Sequence, residues 1–163
     1  MPRFGIALIA AASLACSTGS EPGEPDVDQP AATTTLQGVE FRAETRVLES
    51  FPVQLRTSVE MTNRSGAAVA LTFPDGCVVL LRAYREAGAA AVWDQGSVLS
   101  CTAALVEVRL AAGETRTFEA RTDARAILGA SLPDGRYRLE VYLRPRSGVI
   151  AVEAGTVDLA VPR

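Results

Sequence analysis

The 163-residue chain contains no histidine, and reading through it finds no lysine either. The first absence removes the commonest general base and the commonest metal ligand, and the second removes Schiff-base chemistry and the lysine of phosphate-binding loops. Carboxylates alone can run glycoside hydrolysis, but the acids here stand singly among alternating residues and form no recognisable pair. The chain therefore reads as a non-enzyme, with no catalytic residue, no metal site and no cofactor. Long apolar runs are equally scarce. The one present, twelve residues from Phe4 to Ala15, is shorter than the roughly twenty needed to span a bilayer. From Leu36 onward 15 Arg stand against 15 Asp and Glu, so this part of the chain is neutral and offers no basic patch for nucleic acid.

What is present at the N-terminus reads as an address. Arg3 precedes the apolar run, as in an export signal over residues 1–15. The run ends in Ser13-Leu14-Ala15-Cys16, which resembles the lipobox of bacterial lipoproteins, although Ser13 stands where an aliphatic residue is usual. The resemblance implies lipidation of Cys16; ordinary secretory cleavage near Ala15 is the alternative. Acyl chains contribute about 0.8 kcal/mol per buried CH2, so several on Cys16 would hold the protein at a membrane surface. Residues 16–35, rich in Pro, Ser, Thr and acids, cannot bury enough apolar area to order themselves and read as a disordered tether. The protein is thus expected to be exported, lipid-anchored at the bacterial cell envelope, facing the periplasm or the cell surface, and a monomer.

Residues 36–163 form the single domain. Its pattern has period two: Val39, Phe41, Ala43 and Val47 alternate with charged residues, as do Val53, Leu55, Val59 and Met61, and later Tyr137, Leu139, Val141 and Leu143. Such alternation marks half-buried antiparallel strands, with the intervening Arg and Glu on a solvated outer face. Further strands are expected at about 67–73, 77–85, 89–93, 103–110, 114–121 and 149–161. Turn chemistry separates them at Asn63-Arg64-Ser65-Gly66, Pro74-Asp75-Gly76, Ala112-Gly113-Glu114 and Pro133-Asp134-Gly135. Asn63-Arg64-Ser65 also matches a glycosylation sequon, but reads as turn chemistry. Only "TDARAILGA" offers a helical turn, capped by Asp123 and stopped by Gly129. The expectation is an all-β, immunoglobulin-like antiparallel sandwich of about seven to nine strands, a closed barrel being the weaker alternative. "PDGRYRLEV" looks like the tyrosine corner of immunoglobulin-like domains, with Tyr137 in place and Leu139 where an antibody domain has cysteine.

Setting Cys16 aside, Cys77 and Cys101 remain as an even pair in an exported domain and read as a disulfide. Two cysteines without histidine are too few for a metal site, and a redox pair would more usually be C-x-x-C.

The pattern "MTNRSG", "ALTFPDG", "AVWD", "LAAGETRTFEA" and "PDGRYRLEV", with Asn63, Leu71, Phe73, Trp93, Gly113, Phe118, Gly135 and Tyr137, covers roughly residues 53–144. It resembles the bacterial family named BsuPI, the intracellular proteinase inhibitors. The resemblance implies an immunoglobulin-like sandwich and inhibition of a subtilisin-like serine protease, but it marks no inhibitory residue. From the residues themselves, the best partner-binding candidate is the loop of Gln95, Gly96, Ser97, Val98, Leu99 and Ser100. There two apolar residues stand in a polar stretch whose end the proposed disulfide pins. A plain connector with Val98 and Leu99 tucked into the core edge is the other reading. The alternative function, from a different class, is an adhesion or assembly module of the envelope that pairs through a strand edge or sheet face. Trp93 is expected to pack the core.

Overall fold

The computed structural model describes residues 32–50, 52–85 and 90–161. The expected export signal, Cys16 and most of the expected tether lie outside the described residues.

Among the described residues ten strands form in chain order: β1 (Thr33–Leu36), β2 (Val39–Ser50), β3 (Val53–Asn63), β4 (Val69–Phe73), β5 (Leu80–Tyr84), β6 (Trp93–Asp94), β7 (Val106–Leu110), β8 (Thr115–Asp123), β9 (Gly135–Leu143) and β10 (Ile150–Leu159). One antiparallel sheet has the order β1-β2-β3-β8, a second β10-β9-β5-β6, and β4 pairs with β7 in a separate ribbon. The period-two pattern dictates which faces meet. Val39, Phe41 and Ala43 of β2, Leu55, Val59 and Met61 of β3, and Tyr137, Leu139, Val141 and Leu143 of β9 are buried in one shared core, each removing apolar area from water. The protein is an all-β sandwich.

That count exceeds the expected seven to nine because one short strand, β1, escapes the pattern. β1 begins at Thr33, inside the stretch assigned to the tether, and pairs Thr33 with Arg42 through Leu36 with Val39. A two-residue turn makes that hairpin, with Gln37 at φ 52° and Gly38 at φ 78°, the left-handed pair that matches strand twist. β6 is only two residues long and starts at Trp93, near the end of the expected 89–93 strand. Trp93 packs against the core as expected. Val47, placed with the half-buried alternation, is instead 45% exposed; it pairs with the buried Leu55 and so keeps the inward side, but it lies toward the end of β2, where residues 46–49 are exposed.

The expected turns and caps are present. Asp123 caps α1 (Ala124–Leu128), accepting from the Ala126 amide at 2.7 Å, and Gly129 ends the helix at φ 54°. Tyr137 is buried and its hydroxyl donates to the Pro133 carbonyl at 2.7 Å, the contact of a tyrosine corner. Asn63 does more than turn the chain. Fully buried, its side-chain amide donates to the carbonyls of Ala67, Leu110 and Ala111 at 2.8, 3.1 and 3.0 Å, while its oxygen accepts from the amide and hydroxyl of Ser65. It thereby ties β3 to the end of the β4–β7 ribbon. On the outer faces Arg pairs with acids, as Arg64 with Glu40 at 2.8 Å and Arg56 with Glu119 at 3.7 Å.

Candidate functional site

The loop that follows β6 is built on the outer face of the second sheet. Asp94 organises it: one carboxylate oxygen accepts from the Gly96 amide at 2.8 Å and from the Tyr142 hydroxyl at 2.5 Å, and the other accepts from Arg82 Nε at 3.0 Å. The first of these bonds caps a single 3-10 turn, η1 (Gln95–Ser97). Burial alone would raise the Asp94 pKa, but the hydrogen bonds from Tyr142, Arg82 and Gly96 outweigh it and hold the carboxyl below its ordinary value. Burial, and then the bond to Asp94, pushes the Tyr142 phenol up to about 12. The Arg82 guanidinium lies 3.9 Å from the centre of the Tyr142 ring, and Arg138 lies 4.2 Å over Tyr84. Tyr84 in turn donates to Glu140 at 2.8 Å.

Two residues of the predicted loop are supports rather than contacts. Gln95 is buried; its side-chain oxygen accepts from the Leu81 amide at 3.2 Å and its nitrogen donates to the Arg121 carbonyl at 3.4 Å, so it links both sheets. Gly96 presses against Tyr142, and a Cβ there would fall 2.3 Å from the phenol oxygen.

The next four residues, Ser97 to Ser100, are exposed. Val98 is 70% and Leu99 47% exposed, so the two side chains are not tucked into the core edge. Their backbone is nonetheless held, since the Gln95 carbonyl accepts from both the Val98 and Leu99 amides at 3.1 and 2.9 Å. On the far side the Cys77–Cys101 disulfide closes the loop, with a Cα–Cα distance of 5.5 Å, and the Gly76 amide donates to the Thr102 carbonyl at 3.0 Å beside it. An apolar pair thus stands in solvent between a hydrogen-bonded anchor and a covalent one.

Asp75, Cys77 and Cys101 bring three ligand-type atoms within 4.8 Å. Both sulfurs are joined to each other, and Asp75 accepts from the Cys77 amide at 2.9 Å and from Arg144 at 3.2 Å. The cluster is a disulfide beside an ion-paired carboxylate, not a ligand set.

The Asp94 anchor was readable in "DQG", an acid two residues before a glycine, which suits a capped turn. Its partners Arg82 and Tyr142 were not, because they come from strands 12 and 48 residues away in sequence. A cleft of about 380 Å³ between the loop and β8 also went unread; it is lined by Gln95, Leu99 and residues 76–79 and 118–121.

Among solved structures the chain is similar to a β-glucosidase involved in saponin metabolism from intestinal bacteria, at 14% identity and a TM-score of 0.42 over 78% of this chain and 17% of that one. It is also similar to a β-glucosidase from Listeria innocua, at 19% identity and a TM-score of 0.37 over 72% of this chain and 16% of that one. A β-glucosidase from Erythrobacter marinus gives 12% identity and 0.38 over 72% and 15%. The chain spans less than a fifth of these enzymes, and likeness this slight carries nothing about activity. No curated protein matches. Residues 39–148, well over half of the chain, match the family BsuPI, described as intracellular proteinase inhibitor. The chain belongs to that family.

Proposed function

We propose that this protein is an exported, membrane-tethered inhibitor of a subtilisin-like serine protease that presents Val98 and Leu99 to the enzyme. Membership of the inhibitor family supports a proteinase as partner. The observation that carries the choice of loop is the exposed Val98–Leu99 pair, fixed between the Asp94–Tyr142 hydrogen bond and the Cys77–Cys101 disulfide. A loop held at both ends has little ordering entropy left to lose on binding. Leu99 suits a large apolar pocket, and burying a leucine contributes about 1.5–3 kcal/mol. Export, lipidation of Cys16 and the tether are proposed from the sequence of residues 1–35.

The experiment is a panel of serine proteases titrated with the purified protein. Inhibition of subtilisin-like enzymes at near-stoichiometric ratios is expected; unchanged proteolysis at high molar excess would sink the proposal and leave an adhesion or assembly role. Mass spectrometry of membrane fractions checks the anchor, with a diacylglyceryl adduct expected on Cys16 and lost in Cys16→Ala.

A further inference from the structure

β8 is the outermost strand of its sheet, and among the described residues only β3 pairs with it. Backbone groups in an antiparallel strand face alternate sides with period two. The Arg121 carbonyl faces away from β3, since it accepts from the Gln95 side chain at 3.4 Å. The N–H and C=O groups of Glu119 and Thr117 therefore point to the same free edge. That edge is not open to bulk solvent along its whole length: residues 118–121 form one wall of the cleft of about 380 Å³, residues 76–79 line it too, and Leu99 stands at it.

We infer that this cleft is a second part of the inhibitory interface, in which an extended segment of the protease partner adds to β8 as a strand. The inference rests on the inhibitor reading above. Unpaired backbone donors and acceptors in a row call for another backbone as their occupant. Residues 76–79 flank the cleft beside that edge. Leu99 borders both the cleft and the exposed loop, so the enzyme that receives its side chain is the one placed to supply the strand. The docking strand would take over the Arg121 carbonyl, whose present bond to Gln95 is long.

The test pairs Glu119→Pro with Arg56→Ala and adds hydrogen exchange on the unmodified complex. Proline at an outward-facing edge position removes the donor without breaking the ladder to β3, and Arg56→Ala controls, from the β3 side, for the exposed Arg56–Glu119 ion pair, which contributes little. Glu119→Pro is expected to weaken inhibition about tenfold, from the hydrogen bonds lost at the edge. Arg56→Ala should stay within about twofold of the unmodified protein. In the unmodified complex the amides of Thr117, Glu119 and Arg121 should gain protection, a readout that holds even if the proline variant fails to fold. Inhibition with no gain in protection at these amides overturns the inference and leaves the inhibitor reading standing. Protection already present in the free protein would assign the edge to a second copy or to the chain's own N-terminal segment and overturn the choice of occupant. If no protease is inhibited, both readings fall together.

Discussion

Removing the staple gives the most quantitative consequence of this architecture. Replacing Cys77 and Cys101 by serine frees a loop of sequence separation 24. Chain-entropy reasoning assigns about 3.5 kcal/mol to a loop of that length, chiefly through the wider freedom of the unfolded chain. With an unfolding entropy of about 2.1 cal/mol/K per residue, a domain of this size should melt about 13 °C lower. Urea unfolding of the oxidised protein and the double variant, followed by tryptophan fluorescence from Trp93, measures the difference directly, with the slope m rising as the uncrosslinked chain exposes more surface. The loss of inhibition should exceed what the lower stability explains at 25 °C, because Leu99 lies two residues from Cys101 and would no longer be pinned. A stability loss under about 1 kcal/mol would refute the entropic reasoning, and full inhibition by the folded double variant would refute the idea that the staple organises the loop.

Three other perturbations have defined outcomes. Asn63→Leu takes the side-chain donor from the Leu110 and Ala111 carbonyls and the acceptor from the Ser65 amide, and at about 1 kcal/mol per lost bond should cost about 3 kcal/mol in the same urea assay. Gly96→Ala drives a methyl into the Tyr142 hydroxyl and should break its bond to Asp94; a strongly weakened inhibitor with a modest fall in melting temperature is expected, and unchanged inhibition would show that the anchor does not set the loop. Stability should also depend on pH at both extremes. Asp94 has a folded pKa below its unfolded one, so its contribution is complete above the ordinary carboxylate value of 3.8 and is lost as pH falls through the folded value. Tyr142, raised from 10.0 to about 12, contributes fully below pH 10 and loses that contribution as pH rises toward 12. Tyr142→Phe should flatten the alkaline fall measured by urea midpoints, leaving the part due to Tyr84, whose phenol burial and the bond to Glu140 also raise.

What was legible in the sequence was whatever depends on near neighbours. Alternation in β3 and β9 fixed their buried faces, Asp123 and Gly129 bracketed the helix, and Tyr137 found its corner contact four residues upstream. The paired cysteines were readable as well, since exclusion of metal and redox roles left one chemistry. Features set by distant partners were not. β1 is four residues long and sits in a threonine-rich stretch with no apolar alternation, so only its pairing with β2 makes it a strand. Gln95 read as a contact residue because its polarity suits a loop, and only the sandwich brings the Leu81 amide and Arg121 carbonyl to it. Val47 matched the alternation and stays in register with the buried Leu55, but it sits at an end of β2 that the core does not cover. The cleft beside β8 depends on three separate segments and has no local signature at all.

The most direct measurement compares the purified protein with its Leu99→Ala variant against a subtilisin-like protease. Leu99 is half-exposed and outside the core, so the variant should fold and melt as the unmodified protein does. With about 1.5–3 kcal/mol of side-chain burial lost at the interface, the inhibition constant should rise about ten- to a hundredfold. Equal inhibition by the two proteins would contradict the assignment of Val98 and Leu99 as the segment that enters the enzyme.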